Sequence, residues 1–475
     1  MIDVLSSILA FIVAIGVLVS VHEYGHFWVA RRLGFKVLRF SVGFGSPLLR
    51  WRGRPIRYPL AGSVDGTTGG TQELEGPEYW LSSIPLGGYI KLLDEREGPV
   101  PEDERHLAFN RRPISHRIAV LVAGPGFNFL FAIFAYWVMF VSGVPGTKAI
   151  VGSVTPGSVA AQAGLMSADE ILTVGAREAQ TWDTAVMAIL DELLRDGLLA
   201  LTVQDAAGTF RSLEIDVRGR EAELTEPEAL WTGLGFSPGP LLPPVMDEIT
   251  LDGAADQAGL RSGDRVVSAG EEPIVSWLRW VEYIRERTGE NVAVVIERDG
   301  VERTVDLTIG QVEEAGQAIG RIGAGVDAEL AQGIYDRARM EQRFGIVEAL
   351  PKGVMKTWEM SALTIRMLAR MVVGDVSVRN ISGPINIASY AGDSARAGLT
   401  TFLSFLAIVS ISLGILNLLP VPLLDGGQIV YQLVELMKGS PLSERTMIIG
   451  QQVGMLLLMV LMSFAFYNDL SRIFG

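Results

Sequence analysis

The chain of 475 residues is long enough for several domains, and its 49% hydrophobic residues and mean hydropathy of +0.32 are unusual for an ordinary soluble protein. A formal net charge of −14 argues against nucleic acid as a partner, because nucleic acids bind basic surfaces. The absence of cysteine excludes disulfide bonds and thiolate metal ligands.

Four long apolar runs predict a polytopic α-helical membrane protein. They cover residues 4–30, 118–143, 402–424 and 447–467. At about 1.5 Å of rise per residue, each helix can cross a hydrocarbon core of about 30 Å. The first run has neither a basic n-region nor a small-residue cleavage site, so we expect a retained transmembrane helix rather than a cleaved signal peptide.

The first run contains the pentapeptide His22-Glu23-Tyr24-Gly25-His26. Positions i and i+4 share one face of a helix, so both imidazoles can bind one Zn²⁺ while Glu23 removes a proton from water. Ionisable residues inside an apolar span are costly and usually mark function. The motif therefore predicts His22 and His26 as zinc ligands and Glu23 as the catalytic base, with a purely structural polar cluster as the alternative.

Basic residues flank the segment between the first two runs and predict its side of the membrane. They are Arg31, Arg32, Lys36, Arg39, Arg105, Arg111, Arg112 and Arg117. Under the positive-inside rule this segment faces the cytoplasm, and Lys438 and Arg445 agree for the connection between the last two runs. Both termini and the stretch 144–401 are then expected outside.

The inner segment contains two β-like pieces, 39–44 and 84–92, and a Gly/Thr-rich stretch at 62–78 that reads as a loop. We expect a membrane-associated β-hairpin on the cytoplasmic side. Its exposed edge is a candidate for holding a substrate segment as an added strand, whereas an ordinary hairpin is the alternative. The candidate residues of that edge are Gly87, Gly88 and Tyr89.

The second run carries Asn128 after several small residues, Ala123-Gly124-Pro125-Gly126. Its distance from the inner end of the run places Asn128 at a depth similar to that of the His-Glu motif. Asn128 is therefore a candidate for supporting the substrate or the transition state. Close helix packing through the small residues is the alternative explanation.

The outer stretch contains an internal repeat, because the Ala-Gly-Leu pattern of 160–165 recurs at 255–260. Each copy resembles the PDZ domain, and we place the two modules at 149–225 and 232–310. Peptides on the outer side of the membrane are their expected ligands, with non-binding spacer domains as the alternative. The tetrapeptide 233–236, Gly-Leu-Gly-Phe, looks like a PDZ carboxylate-binding loop.

Residues 345–373 alternate apolar and basic positions with a helical period, which is typical of a helix in the membrane interface. Packing of its apolar stripe against the modules is the alternative. The predicted domains are therefore 1–148 with two transmembrane helices and the hairpin, the two modules, the connecting region 311–400, and 401–475 with the last two helices.

The third run ends in prolines and glycines around Asp425, and Asn417 lies one turn before this break. Irregular backbone at membrane depth is tolerated only where it lines a cavity or is buried in protein. Runs one and three cross in the same direction, so their late portions share the cytoplasmic half of the bilayer. Asp425 is the expected third zinc ligand, with a helix cap as the alternative. Asn417 is a candidate donor to the substrate carbonyl, or a partner for freed backbone groups.

These motifs together resemble the site-2 protease family of membrane metalloproteases, whose pattern joins His-Glu-x-x-His to Asn-x-x-Pro-x-x-x-Leu-Asp-Gly. Segments 27–32, 85–96 and 381–385 strengthen the resemblance, and 62–78 looks like an insertion. The resemblance implies a bacterial inner-membrane protease that cleaves a trimmed single-span anti-sigma factor in the envelope stress response, and remnant signal peptides. It also implies that the PDZ modules exclude substrates with bulky outer domains and that the hairpin engages unwound substrate.

Two other functions compete with proteolysis. A membrane scaffold could bind peptides through its modules, but the intact Glu23 and Asp425 argue against one. Intramembrane His and Asp residues also line ion pathways, although four spans without an inverted repeat disfavour a metal transporter.

Overall fold

The computed structural model describes residues 2–59, 71–226, 229–314 and 317–474. These residues form two compact units. The first comprises 1–144, 343–371 and 378–475, and the second comprises 145–342 and 372–377. Among the described residues, four helices are long and apolar enough to cross a membrane, which confirms the predicted number. They cover Val4–Arg32, Ile114–Ser142, Leu399–Leu418 and Glu444–Arg472.

The first part of the chain places a small sheet between two long helices. Its elements are α1 (Ile2–Arg32), β1 (Val37–Arg52), β2 (Ile56–Pro59), β3 (Thr71–Leu74), β4 (Glu78–Leu92), 3₁₀ turns at Glu102–Leu107 and Phe109–Arg111, and α2 (Ile114–Ser142). The helix α1 ends at Arg32, and Arg112 donates to the carbonyl oxygens of Leu33 and Gly34 just beyond it. This contact gives partners to the two carbonyl oxygens that follow the helix, while the carbonyls of Val29, Ala30 and Arg31 accept from the backbone N–H groups of residues 33–35.

The strands β1 and β4 are each long enough to pair twice. The second half of β4 pairs with the first half of β1, as in Ser41↔Tyr89, and the first half of β4 pairs with the second half of β1, as in Trp51↔Tyr79. The register also joins Ser41 to Trp80, so the first half of β1 lies between the two halves of β4. Among the described residues, the second half of β4 has register partners on one side only and is an outer edge.

The predicted hairpin of 39–44 and 84–92 is therefore only part of this sheet. The predicted loop at 62–78 is wrong at its end, because Thr71–Leu74 forms β3 against β2 and β4 already begins at Glu78. Thr and Gln are compatible with a strand once a partner is present, which a local composition argument cannot foresee. Residues 62–70 of that loop lie outside the described residues.

The middle of the chain folds into two similar β modules. The first contains β5 (Val144–Thr147), β6 (Val151–Val154), α3 (Val159–Gln162), β7 (Glu170–Val174), β8 (Arg177–Glu178), α4 (Trp182–Arg195), β9 (Leu198–Gln204), β10 (Phe210–Asp216), α5 (Glu221–Leu224), α6 (Ala229–Leu234) and β11 (Phe236–Pro238). The second contains β12 (Met246–Ile249), α7 (Ala254–Gln257), β13 (Arg265–Ala269), β14 (Glu272–Pro273), α8 (Trp277–Glu286), β15 (Asn291–Arg298), β16 (Val301–Thr308), β17 (Gly310–Glu314), β18 (Gln317–Arg321) and β19 (Ala324–Val326). The sheet orders β10-β9-β7-β8 and β14-β13-β15-β16 match along the two modules.

Each module closes with a strand that returns to its beginning, and this shifts both predicted boundaries. Phe236 pairs with Val154 and is buried in the core of the first module, although the predicted range 149–225 omits it. In the second module, Met246 pairs with Val326, beyond the predicted end at residue 310. The tetrapeptide 233–236 consequently belongs to the first module, where the Gly235 carbonyl accepts from Thr155 N.

The repeat also preserves a buried ion pair. Arg211 donates to both carboxylate oxygens of Asp169 at 2.5 and 2.6 Å, and Arg298 does the same to Asp264 at 2.6 Å. Both aspartates are buried, and each also accepts a backbone N–H from the turn that precedes it. The shared Asp of the sequence repeat thus holds the same turn in both modules.

The last part of the chain is helical. Its elements are α9 (Ala328–Ala338), β20 (Arg339–Gln342), α10 (Ile346–Val373), a 3₁₀ turn at Val378–Asn380, α11 (Pro384–Ala397), α12 (Leu399–Leu418), α13 (Asp425–Lys438) and α14 (Glu444–Phe474). The predicted amphipathic helix at 345–373 is confirmed as α10. Gly353 packs it against α2, where an added Cβ would lie 3.0 Å from the Ile133 carbonyl oxygen, while Trp358 is 71% exposed.

The helix α11 was not predicted from the sequence. It begins with Pro384 at its first turn, after Gly383. Its free N-terminal N–H groups are satisfied from α14, because the buried carboxylate of Asp469 accepts from Gly383 N at 2.8 Å and from Ile385 N at 2.9 Å. A cap supplied by a residue so distant in the sequence leaves no local signal.

Candidate active site

The His-Glu-x-x-His motif lies within α1, and Asp425 is the first residue of α13. The helix α12 ends at Leu418, and the following turn is too tight for side chains on the two glycines after Asp425. A Cβ on Gly426 would overlap the Leu418 carbonyl oxygen, and a Cβ on Gly427 would overlap that of Val421. The Asp-Gly-Gly sequence therefore allows α13 to start directly beside the break.

This turn brings Asp425 to the two histidines. Nε2 of His22 lies 3.1 Å from Nε2 of His26, and Oδ2 of Asp425 lies 3.2 Å from the former and 3.4 Å from the latter. Two ligands of a tetrahedral Zn²⁺ with bonds of about 2.0–2.1 Å lie about 3.3 Å apart. The three atoms thus fit a zinc ion, and no other His, Cys, Asp or Glu cluster in the described ranges has this property.

The outer nitrogens of the two imidazoles face α2. Nδ1 of His26 lies 2.7 Å from the Val120 carbonyl oxygen, and Nδ1 of His22 lies 3.2 Å from the Asn128 side chain. Both rings are therefore oriented by contacts on the side away from Asp425, as is usual for histidine ligands of metals.

The helix α2 leaves room for the two rings at Gly124. A Cβ at this position would overlap Nε2 of His26 and lie 2.7 Å from Cε1 of His22. The sequence predicted only close helix packing for the small residues before Asn128. Such packing is present, since an added Cβ on Gly25 would lie 2.5 Å from the Ala123 carbonyl oxygen, but Gly124 also makes space for the candidate ligands.

A cavity of about 980 Å³ surrounds the cluster and is lined by α1, α2, α12, α13, α14 and the outer edge of β4. The edge strand lies directly against α1, because an added Cβ on Gly88 would lie 3.2 Å from Cγ of Glu23 and 3.1 Å from Val19. The structure brings every sequence-predicted site residue to this cavity. They are His22, Glu23, His26, Gly87, Gly88, Tyr89, Asn128, Asn417 and Asp425.

The side chain of Tyr89 is already engaged within the sheet. Its hydroxyl accepts from Arg39 at 3.2 Å, and its ring stacks on Phe44 at a centroid distance of 6.3 Å. The ring of Phe44 in turn occupies the space beside Gly87, which has a positive φ of 137°. These contacts leave the backbone of the strand, rather than the tyrosine hydroxyl, as the group available to a substrate.

An ion pair that the sequence analysis missed holds α13 against α2. Arg117 is only 4% exposed, and it donates to both carboxylate oxygens of Glu435 at 2.7 and 3.1 Å. From the sequence alone, Arg117 belongs to the basic flank of the second run. Glu435 in α13 is the signal in the sequence that could have indicated this pair. Ionisable residues near a membrane span normally have a partner of opposite charge.

Comparisons with known proteins agree with this geometry. The pattern of peptidase family M50 matches residues 10–71 and 66–461. "Regulator of sigma E protease" of Salmonella typhi and "Regulator of sigma-E protease RseP" of Escherichia coli K12 are each 38% identical over 474 residues, which is 100% of both chains. A protein of Vibrio cholerae named "Putative zinc metalloprotease" is 38% identical over 478 residues, again with 100% of both chains covered. The chain therefore belongs to peptidase family M50, the site-2 proteases, and is a membrane-embedded zinc metalloprotease.

Proposed function

We propose that His22, His26 and Asp425 bind the catalytic zinc and that Glu23 is the general base for hydrolysis of a peptide bond within a membrane-spanning segment. The observation that carries this proposal is the set of three ligand atoms 3.1–3.4 Å apart, with Glu23 in the same motif. Zinc bound there supplies a Lewis acid that polarises the scissile carbonyl and acidifies water.

The chain's own groups carry the proton transfers. The Glu23 carboxylate accepts a proton from the attacking water, and the same oxygen returns it to the nitrogen of the leaving amine as the C–N bond breaks. Asn417 lines the cavity at the end of α12, where its amide can donate to the substrate carbonyl oxygen. No protein covalent intermediate is needed, because water is the nucleophile.

The outer edge of β4 suits an extended substrate. A transmembrane helix hides its peptide bonds in hydrogen bonds, so cleavage requires a locally unwound segment whose backbone groups find new partners. The backbone of Gly88 and its neighbours offers such partners next to Glu23. We propose that the substrate adds to this edge as a strand.

The substrates we propose are single-span membrane proteins, in particular a trimmed anti-sigma factor of an envelope stress response, and remnant signal peptides. The relatives named for sigma-E regulation support this class. We place the protein in the bacterial inner membrane, with both termini and the β modules in the periplasm and the active site in the cytoplasmic half of the bilayer. The basic residues around the sheet support this orientation.

We propose that the two β modules are PDZ domains, with bounds of 149–238 and 246–326 in place of 149–225 and 232–310. The returning strands supply a second glycine with a positive φ, Gly323, at the position that Gly235 occupies in the first module. Both carbonyls accept from a threonine, Thr155 and Thr250 respectively. The proposed roles of these modules are to exclude bulky periplasmic domains and to contact periplasmic peptides. We also propose that the exposed apolar side of α10 lies in the membrane interface.

A purified-protein assay tests the enzyme mechanism. Full-length protein in detergent is incubated with a tagged single-span substrate that lacks its outer domain, and the product termini are mapped by mass spectrometry. We expect one cut within the span, loss of that cut after chelation of zinc, and recovery when zinc is added back. Cleavage that resists chelation, or that occurs only outside the span, would contradict the proposal.

Adding a charge to the edge strand should slow cleavage without removing zinc. Ile84 is 49% exposed near the middle of β4, directly before the half that forms the outer edge, so Ile84→Asp places a carboxylate at the start of that edge without opening the core. Charged residues on edge strands oppose pairing with another strand, and a fall in kcat/KM of about 10-fold corresponds to about 1.4 kcal/mol. The measurement is kcat/KM together with zinc content per chain.

Leu48→Asp is the matched control for Ile84→Asp. Leu48 is 67% exposed in the second half of β1, which pairs with the first half of β4 and not with the outer edge. The same charge there should leave kcat/KM unchanged. Equal rates for wild type and both variants would remove the support for strand addition.

A further inference from the structure

Asn128 is completely buried beside His22, and one end of its carboxamide has no hydrogen-bond partner among the described residues. Its side chain is 0% exposed although it borders the cavity. Nδ2 lies 3.2 Å from Nδ1 of His22, and Oδ1 has no hydrogen-bond partner among the described residues. Whichever way the carboxamide is turned, one of its ends has no partner among the described residues, at a cost of about 1–3 kcal/mol, so the contact of its other end with His22 is the feature that requires a reason.

The chemistry of His22 determines which end of the carboxamide faces the imidazole. Its Nε2 points towards His26 and Asp425, so a neutral imidazole that binds metal through Nε2 carries its proton on Nδ1. That N–H needs an acceptor. The oxygen and nitrogen of a carboxamide exchange places on a half-turn about its terminal torsion, which brings Oδ1 of Asn128 to Nδ1.

The neighbouring histidine already has the equivalent arrangement. Nδ1 of His26 lies 2.7 Å from the Val120 carbonyl oxygen, which can only accept. Both contacts come from α2, two turns apart along the helix. The acceptor for Nδ1 of His26 is thus a backbone oxygen, and the corresponding acceptor for Nδ1 of His22 is the side-chain oxygen of Asn128 after the half-turn.

We propose that Asn128 is a positioning residue whose Oδ1 accepts the Nδ1–H of His22 and thereby fixes the tautomer and ring orientation of this ligand. The proposal rests on the zinc ligand set given above. It replaces the sequence-based interpretation of Asn128 as a group that supports the substrate, because a side chain with no exposed surface cannot reach substrate. Acceptors of this kind typically change metal affinity by about 10–100-fold when they are removed.

Two substitutions of similar size test the acceptor. Zinc affinity is measured on the full-length protein in detergent by competition with a chromophoric chelator. Asn128→Leu removes the acceptor and is expected to weaken zinc binding about 10–100-fold. Asn128→Asp keeps an acceptor at the same place and is expected to retain affinity within a few-fold of wild type.

A space-filling role would give the opposite order, since leucine is tolerated in a buried site and an extra carboxylate is not. Wild-type zinc affinity in Asn128→Leu, or equal losses in both variants, would overturn the proposal. The ligand set is tested separately with His22→Ala. If this variant loses zinc and Asn128→Leu does not, only the role of Asn128 fails, whereas unchanged zinc binding in His22→Ala would defeat the ligand set itself.

Ser410→Ala is the control for a general disturbance of α2. The Ser410 hydroxyl donates to the backbone carbonyl of Asn128 at 2.9 Å and does not contact His22. Its removal should leave zinc affinity unchanged. A loss equal to that of Asn128→Leu would mean that packing between α2 and α12, and not the side-chain acceptor, governs the metal site.

Discussion

Glu23→Gln is expected to keep zinc bound while kcat/KM for an intramembrane substrate falls by about 10²–10⁴-fold. Glutamine has nearly the shape of glutamate but cannot accept the proton of the attacking water, and loss of a general base has effects of this size. Zinc should remain because the three candidate ligand atoms belong to His22, His26 and Asp425. The measurements are kcat/KM on a tagged single-span substrate and zinc content per chain.

Another carboxylate that lines the cavity serves as a control. Glu97 also lines the cavity, but its side chain is 59% exposed and forms an ion pair with Lys91 at 3.7 Å. Glu97→Gln should therefore leave both rate and zinc content unchanged. If Glu23→Gln were as active as wild type, or lost its zinc, Glu23 could not be the base assigned above.

The core of the site could be predicted because its signals are local. His22 and His26 are fixed relative to each other by the helical period, and apolar surroundings make their presence costly without a function. Asp425 could be added because prolines and glycines break an apolar run at the depth of the motif. These three residues could be identified without knowing which distant strands or helices contact one another.

The surroundings of the site depend on contacts between distant residues, and the sequence could not supply them. The edge of β4 takes its position from a register in which Ser41 meets both Trp80 and Tyr89. The first module is completed by Phe236, whose return to Val154 moves the boundary that the repeat alone suggested. A periodic pattern identifies strands, but it does not say which strand a sequence will pair with.

The role of Gly124 shows the same limit within one helix. In the sequence, a glycine among small residues indicates close helix packing. Only the structure shows that α1 places two imidazoles in the space left by the missing side chain of Gly124. Gly124→Ala is therefore expected to weaken zinc binding and to lower kcat/KM by about 100-fold, because the added methyl group must displace Nε2 of His26 and Cε1 of His22. Chelator competition and the cleavage assay measure the two effects.

Gly126→Ala is the matched control, because the substitution is identical, the helix is the same, and an added Cβ there has no atom within 4 Å. This variant should bind zinc and cleave substrate as wild type does. Since alanine is the better helix former at both positions, a defect confined to Gly124→Ala arises from overlap with the ligands and not from altered helix stability. Equal behaviour of the two variants would mean that α1 and α2 can separate enough to accept the methyl group, and that Gly124 does not set the position of the histidines.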